Sequence, residues 1–258
     1  MSSSHRHFVQ VYDIDHRTLT GNVAAYVFEG LSNGETAIII ATPGLNDGLV
    51  NHLRRIGGQP DAAVSEGRLV LLDAAETLGR ILRDGTPDRE RFLVTIGSAI
   101  GRAAARSSGV RCYGEMVGVL WTEGRRDAAI ALERLWNELL ATDDFQLYCG
   151  YPIGIFSDAF QLGEMDPIFC SHTHIVPAGE NDDALYAAID RAMGEVLGSR
   201  TDGIRSLMKP NYRPSWPMLP KAEAAILWLR NNIPEEAEAI LRRAFEWYAA
   251  SGTSARAV

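Results

Sequence analysis

Three groups of residues have the types and spacing for chemistry. Asp73 and Glu115 each close an apolar run that reads as a sheet strand. Ligands of open α/β sheets bind outside the carboxyl ends of their strands. Both carboxylates could then face a pocket beside the segment Thr42-Pro43-Gly44-Leu45-Asn46-Asp47-Gly48. Helix capping or a structural ion pair is the competing role for each, with Arg111 and Arg102 the local candidates to partner Glu115. Cys170, His172 and His174 stand two apart, on one face if that segment is extended. A closed zinc site needs four ligands, and Cys112 and Cys149 would have to converge from elsewhere in the chain. Histidines bonded to backbone in a half-buried strand are the simpler reading, so no metal is expected.

The Thr42–Gly48 segment sits where a phosphate loop would sit. It follows the apolar, β-branched run Ala37–Ala41 and precedes the helical spacing of Leu49, Leu53 and Ile56. A phosphate loop needs G-x-x-x-x-G-K-[ST], its lysine reaching phosphate oxygens and its hydroxyl holding magnesium. The strand-loop pattern resembles that of the RecA/KaiC ATPases, but the lysine position falls on Asp47 and the hydroxyl position on Gly48. A carboxylate there repels a triphosphate. The expectation is a phosphate-loop architecture without hydrolytic equipment, hence no enzyme and no cofactor.

Aromatic residues recur through Tyr113, Trp121, Trp136, Tyr148, Tyr151, Phe156 and Phe160. Such side chains can wall a small-molecule pocket, with Glu115 or Asn137 as polar anchor, and core packing accounts for most of them. The ligand-binding candidates are therefore Glu115, Tyr113, Trp121, Asp73, Thr42, Asn46 and Tyr151. No nucleophile elbow is present, and no serine or cysteine carries a local signature of activation.

Composition narrows the class. The chain of 258 residues holds 33 acidic and 25 basic side chains, a net charge of −8, which argues against nucleic acid or an anionic membrane as partner. Residues 221–258 carry five basic and five acidic side chains, a poor footprint for a phosphate backbone. Three cysteines, no signal-peptide pattern and no long apolar run point to a reduced, cytoplasmic protein.

The elements that must position these residues alternate. Strands are expected at Phe8–Tyr12, Ala37–Ala41, Arg68–Asp73, from Val110, at Phe145–Tyr151 and at Ile168–Val176. Helices are expected at Leu19–Leu31, after Gly48, after the Asp84–Asp88 turn with Pro87 near its first position, and at Asp127–Leu140 with Asp127 as cap. That alternation predicts an α/β fold, a mostly parallel sheet with helices on both faces. Residues 1–178 form the α/β domain and 179–258 a helical extension, with helices at 184–197, 221–230 and 235–250 and a Pro-rich connector at 210–220.

Several segments together resemble one family, the MEDS sensory domain of methanogen and methylotroph sensors and the dichloromethane-responsive regulator. They are H-F-V-Q-V-Y, E-G-L-S-N-G-E-T-A-I-I-I-A-T-P, G-R-L-V-L-L-D-A, D-G-T-P-D, V-R-C-Y-G-E-M-V-G-V-L-W, L-E-R-L-W-N-E-L, F-Q-L-Y-C-G-Y-P and F-C-S-H-T-H-I-V-P. They fall in the expected order across residues 5–178. The resemblance implies a RecA/KaiC-like fold without a working phosphate loop, in a signalling protein that senses small hydrocarbon derivatives. No kinase segment and no N-terminal helix-turn-helix is seen, so output is expected to pass to a signalling protein partner. The apolar tail residues Ile226, Leu229, Ile240, Leu241 and Phe245 are expected to support a homo-oligomer.

Overall fold

The computed structural model describes residues 6–13, 16–208 and 215–250. Pro210, Tyr212 and Pro214 of the expected connector lie outside them. The chain divides into two compact units, one of residues 1–10 and 15–152, the other of residues 11–14 and 153–258.

The first unit runs β1 (Arg6–Val11), α1 (Arg17–Ser32), β2 (Thr36–Ala41), α2 (Pro43–Arg55), α3 (Pro60–Ser65), β3 (Leu69–Asp73) and α4 (Ala74–Ile81). A two-residue hairpin follows, β4 (Leu82–Arg83) and β5 (Thr86–Pro87). Next come α5 (Arg89–Phe92), a π-turn at Leu93–Gly97, α6 (Ser98–Ala104), β6 (Val110–Gly114), α7 (Met116–Thr122), α8 (Arg126–Leu140) and β7 (Gln146–Tyr151). The strands order β3-β2-β6-β7-β1, and β2 runs parallel to β3 and β6, as β6 does to β7. Helices on both sides of the sheet fulfil the α/β expectation. All six residues of β2 are buried, as a central strand covered on both faces requires.

Local departures from the sequence reading have physical reasons. β3 lies at the sheet edge, so it is only half-buried, with Leu71 37% exposed. The Asp84–Gly85 pair forms the hairpin turn, both residues at positive φ. Pro87 belongs to β5, and the next helix is capped by Asp88, whose carboxylate accepts from Arg91 N at 3.0 Å. Asp127 lies in the first turn of α8 instead of capping it. Gly118 lets α7 press on the β7 end, since a Cβ there would stand 2.6 Å from Gly150 O.

The second unit holds α9 (Leu162–Cys170), β8 (His174–Val176), α10 (Asp182–Leu197), a short 3₁₀ turn at Gly198–Arg200, α11 (Thr201–Leu207), α12 (Lys221–Asn232) and α13 (Pro234–Ala250). Of the strand expected at Ile168–Val176, the first three residues close α9, the next three form no regular element, and only the last three form β8. Helices α10, α12 and α13 pack together. Pro220 offers no side-chain cap to α12, and Asp182 supplies it by accepting from Lys221 N at 2.8 Å and Ala222 N at 2.9 Å. Of the residues expected to drive association, Ile226, Leu229, Ile240 and Leu241 are buried in the fold itself, and Phe245 remains 51% exposed. Among the described residues no helix is long and apolar enough to cross a membrane.

Candidate functional site

The carboxyl ends of β2, β3 and β6 lie side by side, Ala41 in register with Asp73 and Ile40 with Gly114. They place Thr42, Asn46, Asp73 and Glu115 at one sheet edge. No loop intervenes between β2 and α2, because Thr42 alone connects them. Pro43 occupies the first helical position with its φ already set, and Leu45, Leu49 and Leu53 bury one face. Gly44 and Gly48 read as loop residues in the sequence; the buried leucine stripe overrides them and makes them helical.

Glu115 supplies what that helix start lacks. Its side chain is 4% exposed, and Oε2 accepts from Thr42 N at 2.6 Å. Its own amide continues the sheet by donating to Ile40 O at 2.8 Å. A carboxylate therefore stands at the positive end of α2, where an anion is favoured. Arg111 is not its partner: that guanidinium binds Glu29 at 2.9 Å and Glu35. Asn46 ties two strands together, its Nδ2 donating to Ala41 O at 3.0 Å and Leu72 O at 3.2 Å. Asn46 Oδ1 is a buried acceptor with no hydrogen-bond partner among the described residues. Asp73 caps α4, accepting from Glu76 N at 2.7 Å.

The aromatic candidates separate into packing nests. Tyr113 is fully buried against Tyr148, which also meets Phe8 and Tyr26. Trp121 meets Tyr151 edge-on at 5.5 Å, with the Arg126 guanidinium over its ring. Trp136 packs on Phe92 and Phe145. In the second unit, Phe156 meets Phe245 and Phe160 meets Phe169.

Cys170, His172 and His174 do not share a strand face. Cys170 is exposed at the end of α9, 3.9 Å from Asp166 Oδ1. His172 is buried with Nδ1 2.7 Å from Ile168 O, and His174 is exposed beside Thr173 Oγ1.

The first unit also holds a buried polar centre. His7 on β1, Glu133 on α8 and Cys149 on β7 are 1%, 0% and 0% exposed. His7 Nε2 is 3.4 Å from both Glu133 Oε2 and Cys149 Sγ, and Sγ is 3.9 Å from Oε2. Around them, Asn137 Oδ1 stands 3.0 Å from His7 Nδ1, and Tyr151 OH donates to Glu133 Oε1 at 2.7 Å. Burial pushes the Glu133 carboxyl up to about 8, so it holds its proton at neutral pH. Burial also raises the Cys149 thiol, the opposite of what activates a nucleophile.

Sequence reasoning named Tyr151, Asn137 and Cys149 separately but missed this convergence. The available signal was Glu133, an acid between Leu132 and Trp136 on the apolar face of the strongest helix.

An apolar cavity of about 340 Å³ lies in the second unit, lined by Tyr186, Met208, Leu219, Ala224, Ala225 and Trp228 together with Lys221.

Comparison with curated proteins finds no match. Residues 6–173 match the family model of MEDS, the MEthanogen/methylotroph, DcmR Sensory domain. That match covers more than half of the chain and includes both the Glu115–Thr42 edge and the His7–Glu133–Cys149 centre, so the chain belongs to the MEDS family.

Proposed function

We propose that the chain is a non-enzymatic sensory module that binds a small organic ligand and passes the signal on by association with another protein. The observation that carries this reading is the Glu115 carboxylate at the head of α2, 2.6 Å from Thr42 N. A nucleotide-binding α/β domain offers that helix end to phosphate through a loop of free N–H groups. Here the loop is reduced to one residue and the anion comes from the chain. The kinship to RecA/KaiC domains belongs to the same proposal. Its support is the parallel sheet and the A-T-P-G sequence after β2, with the phosphate cradle gone.

The ligand binds at the sheet edge, where Asn46 Oδ1 takes a hydrogen bond from an alcohol or amine group. Thermal-shift measurements with methanol, methylamine and dichloromethane test this. A probe with a donor should raise the melting temperature of the wild-type chain, and Asn46→Ala should lose that rise. Absence of any rise with the three probes would count against the reading.

The apolar cavity of about 340 Å³ favours a second placement, since small organic ligands seek concave apolar sites. A rise that survives Asn46→Ala and disappears in Ala225→Phe would move the ligand there.

A further inference from the structure

The three buried donors of the first unit are spaced as metal ligands. Zinc bonds nitrogen and oxygen at about 2.0–2.1 Å and sulfur at about 2.3 Å in tetrahedral geometry, which sets ligand atoms roughly 3.3–3.5 Å apart. The His7 Nε2, Glu133 Oε2 and Cys149 Sγ triangle has edges of 3.4, 3.4 and 3.9 Å. Two edges have the length of a tetrahedral face, and the third needs a shift of a few tenths of an ångström. A direct Nε2–Oε2 hydrogen bond at 3.4 Å is long by comparison, since charge-assisted ones fall near 2.7–2.9 Å.

The surroundings are those of a metal site. A ligating histidine gives its other N–H to an acceptor, and a ligating carboxylate is itself hydrogen-bonded. Asn137 Oδ1 fills the first role at 3.0 Å and Tyr151 OH the second at 2.7 Å. With Nδ1–H directed at Asn137, the Nε2 lone pair faces the other two donors. Metal binding would displace the protons that Glu133 and Cys149 hold in the metal-free chain, and a divalent cation, one carboxylate and one thiolate then sum to zero, which a wholly buried site requires. Thiolate and imidazole exclude calcium and magnesium, which take oxygen, and select a borderline or soft metal.

We propose that His7 Nε2, Glu133 Oε2 and Cys149 Sγ bind a divalent transition metal of the zinc class, joining β1, β7 and α8 in the interior of the first unit. This stands apart from the ligand site proposed at the sheet edge.

The test is a cobalt(II) titration of the untagged full chain after removal of metal by chelator. One equivalent should produce intense tetrahedral d–d bands and a thiolate-to-cobalt charge-transfer band, and zinc should abolish both. Cys149→Ser should lose the charge-transfer band. Asn137→Ala, which leaves all three ligands in place, should weaken affinity by about 10–100-fold. If Cys149→Ser fails to fold by circular dichroism, Asn137→Ala decides alone. No charge-transfer band in the wild-type chain would overturn the proposal. So would a band that persists in folded Cys149→Ser, which would assign the thiolate to Cys112 or Cys170. Unchanged affinity in Asn137→Ala would overturn it as well.

Discussion

Glu223 should make the second unit's stability fall as pH rises. Glu223 is 1% exposed on α12, and its Oε1 accepts from Ala178 N at 2.7 Å. Oε2 has no hydrogen-bond partner among the described residues. Burial, countered in part by that backbone bond, pushes the carboxyl from 4.5 up to about 7. The folded chain therefore holds this proton more tightly than the unfolded one. Below about 4.5 both states are protonated and the group contributes no pH-linked penalty. Between 4.5 and 7 the unfolded state loses its proton first, and stability declines until the folded carboxyl also ionises. At about 1.4 kcal/mol per unit, the loss totals about 3 kcal/mol. Glu223→Gln keeps an acceptor for Ala178 N and removes the titration. Urea unfolding of both proteins at pH 5 and pH 8 reads the difference. The variant should match the wild type within about 1 kcal/mol at pH 5 and exceed it by about 2–3 kcal/mol at pH 8. A variant equally destabilised at both values would refute the reasoning, because it would make the carboxyl's shape, not its charge, the cost.

Other substitutions probe the scaffold. Arg230 binds the backbone oxygens of Phe156, Ser157 and Phe160 at 3.1, 2.7 and 2.7 Å and pairs with Glu238 at 2.8 Å. Arg230→Lys should destabilise by about 2–3 kcal/mol and speed proteolysis near residue 157, because an ammonium lacks the planar fork that reaches several carbonyls; a neutral result in denaturant titration contradicts this. Gly118→Ala drives a Cβ into Gly150 O and should lower stability by about 1–3 kcal/mol, whereas unchanged melting would show that α7 moves freely. Glu115→Gln replaces a charge-assisted bond to Thr42 N with a neutral one and should cost about 1–2 kcal/mol in chemical denaturation. An increase in stability would mean that desolvation of the carboxylate outweighs its bond.

Much of the sheet was legible because its signals are local. Ala37–Ala41 is apolar and β-branched, and it became a fully buried inner strand of the sheet. Asp84-Gly85 named its own turn. Short helices were harder. Gly44 and Gly48 resemble loop residues, yet the Leu45–Leu49–Leu53 stripe and Pro43 decide for helix. Ile168–Val176 contains enough apolar residues for a strand, but Met165, Ile168 and Phe169 are the buried face of α9, even with Pro167 inside it. Among the site candidates, Asp73 and Glu115 were placed correctly at strand ends, while their partners could not be read. Glu115 bonds to a backbone amide 73 positions away, and backbone donors carry no side-chain signature. The His7–Glu133–Cys149 centre depends on β1, the first strand, lying next to β7 in the sheet. Nothing local in H-F-V-Q-V-Y specifies that neighbour.

Calorimetry with ATP and magnesium, run on the wild-type chain and on Glu115→Gln, tests the central claim most directly. With the helix end held by Glu115 and Asp47 standing where a phosphate-binding lysine would be, the wild type should give no saturable heat. Glu115→Gln should give none either, because Thr42 alone links β2 to α2 and leaves no loop of free N–H groups there to receive phosphate. Tight, magnesium-dependent ATP binding by the wild-type chain would contradict the account and return the protein to the nucleotide-binding class.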